Sequence, residues 1–198
     1  MLTTTVAGRT WDYSRTIGRY LGGFDGPGPE SFVQPVKVAV GSGDHVYVLN
    51  RGMEATYAAA PMQPRVFGVR VGKLTIGGAV DDEEFVTEFS GYGEADGELV
   101  WPAGIALDSA ENVYVTDEWM DRVVVFDKGG RFVGHWGTTG TGAGEFDRPS
   151  GIAIDREDRV YVADSLNHRV QKLTADGEFL EAWGSRGSRE GELDSPWG

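Results

Sequence analysis

Two aspartates, Asp117 and Asp164, stand 47 residues apart, each closing a run of the form Val-Tyr-Val-x-Asp, and Asn50 closes the related run Val-Tyr-Val-Leu-Asn. Two carboxylates and an amide on one rim would offer oxygen ligands to a hard divalent cation such as Ca²⁺. The same residues have a plainer use. Each Asp could cap its own loop, or pair with the arginine five residues on, Arg122 or Arg169. A residue found in every repeat usually builds the repeat, so the plainer use carries more weight. Arg51 follows Asn50 and is placed to anchor a ligand or to act as an electrophile. Asn50, Arg51, Trp119 and Asn167 form the expected binding rim, with Trp101, Tyr57 and Met62 as neighbours, because aromatics and arginine are the usual anchors of an interface.

Other chemistries find less support. Zinc needs three or four convergent ligands. The three histidines, His45, His135 and His168, fall in a turn, an outer strand and a loop, and the counterpart of His168 one repeat earlier is Asp121. His168 is therefore expected to bond its own loop. The glycine-rich stretch Gly137–Gly144 looks like a phosphate loop, but it leads into a strand and lacks the helix N-terminus that holds a phosphate. No catalytic residue is assigned, and no cofactor beyond a divalent cation at Asp117 and Asp164.

The elements that must position these residues are set by a repeat. Pro102, Pro149 and Pro196 are spaced 47 apart, as are Phe89, Trp136 and Trp183. Ala-Gly-Ile-Ala-Leu-Asp at 103–108 matches Ser-Gly-Ile-Ala-Ile-Asp at 150–155. A period of this length built of short β-type runs marks a radial repeat protein. Within 137–183, Ile152–Ile154, Val160–Ala163, Arg169–Leu173 and Glu178–Trp183 read as four strands of a meander, with Asp176-Gly177 as the last hairpin turn. The spacing predicts an all-β propeller of four-stranded antiparallel blades, six-bladed when complete, with about three blades here. Residues 1–16 are an extension and 17–21 a closing outer strand. Blade one is 22–89, blade two 90–136, blade three 137–183, and 184–198 begins a fourth. Blade one carries about 20 extra residues after Arg51, expected in the Met53–Gln63 loop and around Lys73–Glu84. The chain stops within a repeat, and six blades would need about 280 residues, so it reads as part of a longer propeller.

Composition narrows the partners. The chain has 198 residues, 30 of them Gly, no Cys, and a net charge of −13. The glycines suit many tight turns, and the missing thiols remove disulfides and Cys-based metal sites. The acidic balance disfavours nucleic acid, which requires cationic surface. No apolar run is long enough to span a membrane.

Gly-Glu-Phe-Asp-Arg-Pro-Ser-Gly-Ile-Ala-Ile-Asp (144–155) followed by Val-Tyr-Val-Ala-Asp-Ser-Leu-Asn-His-Arg-Val-Gln (160–171) resembles an NHL repeat, and its core recurs at 97–117 and begins again at 191–198. The resemblance implies a propeller, usually six-bladed, used for binding, sensing or catalysis. Blade one, with Val-Tyr-Val-Leu-Asn-Arg-Gly (46–52) before an insertion and then Pro-Arg-Val-Phe, is similar to the first blade of peptidyl-hydroxyglycine amidating lyases. That similarity implies a catalytic role for the counterpart of Arg51. It also implies zinc-binding histidines in turns that here read Pro102-Ala103-Gly104 and Pro149-Ser150-Gly151, and a tyrosine where Leu166 or Trp119 stands. Those turns hold no histidine. The expectation is therefore a non-catalytic binding or scaffold module that recognises a protein, peptide or carbohydrate across the channel-mouth rim. The alternative is a metal-assisted hydrolase or lyase of the amidating-lyase or gluconolactonase-like type.

Overall fold

The structure is a computed structural model that describes residues 3–6, 9–12, 34–55, 65–76 and 84–197. The expected closing strand 17–21, Tyr57, Met62 and Gly198 lie outside the described residues.

Strands β1 (Thr3–Val6) and β2 (Arg9–Asp12) form a two-stranded hairpin. Blade one follows as β3 (Pro35–Val40), β4 (His45–Ala55), β5 (Arg65–Thr75) and β6 (Glu84–Phe89). Blade two is β7 (Pro102–Leu107), β8 (Val113–Asp117), β9 (Arg122–Phe126) and β10 (Phe132–Trp136). The short strands β11 (Thr138–Thr139) and β12 (Glu145–Phe146) pair in parallel at the crossing to blade three. Blade three is β13 (Pro149–Ile154), β14 (Val160–Asp164), β15 (Arg169–Leu173) and β16 (Phe179–Trp183). Each blade is a four-stranded antiparallel meander in sequence order. The chain is a β-propeller arc, and the described residues contain no helix.

Blade one corrects the placing of the insertion. It is expected as loop from Met53, but β4 and β5 each run eleven residues, and Met53 to Ala55 pair with Phe67 to Arg65. Asn50 lies opposite Arg70, as Asp117 lies opposite Arg122 and Asp164 opposite Arg169. Arg70-Val71-Gly72-Lys73-Leu74 is thus the counterpart of Arg169–Leu173, and Lys73 belongs to a strand.

Strand alternation sends successive side chains to opposite faces, and each blade buries one face on its neighbour. Val113, Val115, Val124 and Phe126 pack against Tyr47, Leu49 and Val71 of blade one. Tyr114, Val123 and Val125 pack the other way, against Val160, Val162 and Leu173 of blade three. Both faces of blade two are therefore covered, and every residue of β8 and β9 is buried. In β14 burial alternates instead, and β16 is exposed throughout. A fully buried Val, Leu or Phe contributes roughly 1.5–3 kcal/mol, so this packing dominates the other contacts between blades.

The aromatic residues at the 47-residue spacing have a specific seat. Gly130 has φ 85° and Gly177 φ 84°, in the last hairpin of blades two and three. A Cβ on Gly130 would lie 2.4 Å from Phe89, and one on Gly177 2.4 Å from Trp136. Each hairpin glycine thus lets the turn lie flat on the outer-strand aromatic of the preceding blade.

Candidate site at the channel mouth

The mouth is built where the inner strands begin, beside Asn50, Asp117 and Asp164 of the second strands. The amides of Arg51, Glu118 and Ser165 donate to the carbonyls of Gln34, Trp101 and Arg148, which precede the three inner-strand prolines. Repeated three times, this bond fixes the residue after Asn50, Asp117 and Asp164 at the same level. The position immediately after each proline carries Val36, Ala103, Ser150 and Trp197. These four line an open depression of about 230 Å³ together with Lys37, Arg51 and Gly151. The turns that would hold zinc ligands in the amidating lyases therefore face this depression with apolar and hydroxyl side chains.

Arg51 joins blade one to blade two. Its Nε donates to the Pro102 carbonyl at 3.1 Å, and its guanidinium lies 4.9 Å from the centre of the Trp101 ring. One Nη approaches Glu118 Oε1 at 3.7 Å, beyond hydrogen-bond range. Its side chain keeps 19% of its exposure. Its partners among the described residues are Pro102, Trp101 and Glu118.

Asp117 and Asp164 are fully buried and serve their loops. Asp117 accepts from the amides of Val100, Trp101, Trp119 and Met120. Asp164 accepts from the Asp147 amide, Asn167 Nδ2, Gln171 Nε2 and Arg169 Nε, the last at 2.7 Å. Each carboxylate is saturated by donors from its own blade and the loop leading into it. Among the described residues no group of three or more His, Asp or Glu gathers as a metal site would.

The other expected rim residues divide. Asn50 is fully buried and donates to Val48 and Arg70 carbonyls, so it is spent inside the blade rather than facing outward. Asn167 donates to the Gly140 carbonyl and to Asp164, bracing the glycine-rich crossing. Trp119 is 65% exposed and Trp101 48%. His168 Nδ1 accepts the Ser195 amide at 3.1 Å, the bond that Asp121 makes to the Arg148 amide one repeat earlier. His168 is thus a latch between blades. Within Gly137–Gly144, the Gly142 amide is capped by the Glu145 carboxylate and the chain passes into a strand.

Glu118 is the site residue that the sequence reading missed. Its side chain is 6% exposed, and Oε1 has no hydrogen-bond donor among the described residues. Burial pushes its carboxyl up, with Arg51 and Arg148 pulling it back. Repeat alignment was the available signal, since Arg51, Glu118 and Ser165 hold one position in three blades. Ser165 Oγ donates to the Pro196 carbonyl as Arg51 Nε does to Pro102.

Comparison with known proteins agrees with this architecture. A family model described as "DUF5128: 6-bladed beta-propeller" matches residues 105–183. No curated protein sequence matches the chain significantly. Among solved structures, the chain is similar to the hydrazine synthase of Kuenenia stuttgartiensis, at 16% identity and TM-score 0.54, over 88% of this chain and 40% of that one. It is similar to a gluconolactonase from Xanthomonas campestris at 17% identity and TM-score 0.52, over 98% and 55%. It is also similar to U3-55K at 12% identity and TM-score 0.54, over 76% and 39%. The chain thus spans about 39% to 55% of the length of these structures. At such identities the likeness establishes a shared propeller fold, and the fold hosts unrelated functions.

Proposed function

We propose that the chain forms part of an NHL-type propeller that acts as a non-catalytic binding module, recognising a protein, peptide or carbohydrate across the channel mouth. One observation carries this reading. Positions that are alike in all blades, such as Asn50, Asp117 and Asp164, are spent inside the blades, whereas positions that differ converge on the mouth. Arg51, Glu118 and Ser165 differ at one level, and Val36, Ala103, Ser150 and Trp197 at the next. Trp119 and Trp101 add exposed aromatic surface nearby. Binding energy concentrates in a few such aromatic and arginine anchors.

The hydrolase or lyase reading draws on the buried Glu118 beside Arg51, a poised acid next to a cation. It loses support from Asp117 and Asp164, where a cation would have to displace the donors already bound to each carboxylate.

The reading is tested by probing peptide and glycan arrays with the chain and with two variants, Arg51→Ser and Arg131→Ser. Arg131 lies on an exposed outer hairpin. Array signals that fall in R51S and persist in R131S support a mouth site. Signals indifferent to R51S count against it.

A further inference from the structure

We infer that the open faces of blades one and three bind each other between two copies of this chain, so that two three-bladed arcs close one six-bladed ring. The inference goes beyond the ligand reading of the mouth and does not depend on it.

Two interfaces between blades lie inside the chain, and both use the same positions. Between blades one and two, Ile105 and Leu107 of the later blade share a core with Tyr47 and Phe89 of the earlier one. Between blades two and three, Ile152 and Ile154 share a core with Tyr114 and Trp136. One repeat further on, the positions of Tyr114 and Trp136 hold Tyr161 and Trp183. One repeat back, the positions of Ile105 and Leu107 hold Val38 and Val40. These four residues are the two halves of the same interface, each half without its mate. Val38 is 60% exposed, Val40 74% and Trp183 41%, while Ile105, Tyr47 and Tyr114 are buried. Val46, Val48 and Leu74 are already buried within the chain, so the copy meets blade one along β3.

An acid also crosses each internal interface, from the turn between the first and second strands. Glu111 of blade two accepts the Ser42 amide of blade one. Asp158 of blade three accepts the amide and hydroxyl of Ser109 of blade two. Both acids have a left-handed backbone, φ 62° and 57°, and Asp44 holds the same place in blade one at φ 61°. The receiving position of Ser42 and Ser109 is Arg156 in blade three. Asp44 and Arg156 are both exposed. An acid thus stands on one open face and a cation at the matching place on the other. Charges complementary across an interface steer separate molecules together and fix their register.

The blade count sets the number of copies. The matching family is six-bladed, and the described residues build three blades. Blade three of one copy meets blade one of the other, a heterologous contact that closes only if the rotation closes. Three blades span half of a six-bladed circle, so two copies close about a two-fold axis along the channel. Each copy then contributes Arg51, Glu118 and Ser165 to one common rim.

The test is the molar mass of the full 198-residue chain by light scattering behind size-exclusion chromatography. The mass should rise with concentration and level off at two copies. Val40→Asp should remove the dimer and leave the monomer folded, since Val40 is 74% exposed; an unchanged far-ultraviolet circular dichroism spectrum checks this. Asp44→Arg sets like charges together at both junctions, and so does Arg156→Asp. Each alone should weaken dimerisation at least about tenfold, because two ion pairs turn from attraction to repulsion. Mixed in equal amounts, the two variants restore opposite charges at both junctions and should dimerise again. A monomer at every concentration or a mass that grows past two copies overturns the inference. So does a dimer indifferent to V40D and the charge variants, or a mixture that fails to restore it.

Discussion

Asp117 shows how a residue type can mislead when read alone. A carboxylate at the end of a repeated strand suits a metal ion and a loop cap equally well, and only the donors around it decide. Its two oxygens meet four backbone amides. Asp117→Ala should therefore cost about 3 kcal/mol of stability, the penalty for several buried amides losing an acceptor, as measured by urea unfolding. Gly104 makes a second prediction. A Cβ there would lie 2.4 Å from the Ser150 carbonyl and 2.9 Å from Thr116 Oγ1, which itself donates to that carbonyl. Gly104→Ala should destabilise by about 1–3 kcal/mol through overpacking between blades two and three, again read from the urea midpoint. Glu118 was not legible as a site residue because its role comes from burial and from Arg51, which the sequence separates from it by a whole blade.

Each blade also carries a turn between its first and second strands, and acids organise it. Asp155 accepts from the amides of Glu157 and Arg159, from Arg159 Nε and from Tyr161 Oη. Desolvation pushes its carboxyl up, but those hydrogen bonds outweigh it and leave the pKa at about 2. A carboxyl held below its unfolded value stabilises the fold above the unfolded pKa, near 4. That contribution is lost as pH falls from about 4 to about 2. Thermal unfolding across this window should show a steeper loss in the parent than in Asp155→Asn. Blade one has Gly41 at this place, and Glu111 of blade two bonds the Ser42 amide and Tyr47 hydroxyl instead. Asp158 of blade three likewise bonds the Ser109 amide and hydroxyl. Strand order, turns and the hairpin glycines were legible because they follow from alternation and from a gap-free repeat. The extended β4–β5 hairpin was not, because an insertion breaks the register that made the other blades readable.

For the whole molecule, the arc leaves two unlike ends. Val38 and Val40 are exposed on blade one, and Phe179, Leu180 and Trp183 on blade three. Trp183 stacks on Tyr161 in a face equivalent to those that the first two blades bury. Exposed apolar faces and open strand edges promote association. Light scattering on the purified chain should therefore report self-association that grows with concentration; a monodisperse monomer would contradict this. The propeller fold was legible from spacing alone, whereas the mouth was not, because Arg51, Glu118 and Ser165 are brought together only by the packing of separate blades. The claim that the mouth is the ligand site is tested most directly by fluorine NMR of the chain carrying 5-fluorotryptophan, titrated with a peptide or glycan that gives an Arg51-dependent array signal. Trp101 and Trp197 border the mouth, while Trp136 and Trp183 end outer strands. The account predicts that the signals of Trp101 and Trp197 move and those of Trp136 and Trp183 stay in place. Movement confined to Trp136 or Trp183, or no movement at all, would contradict it.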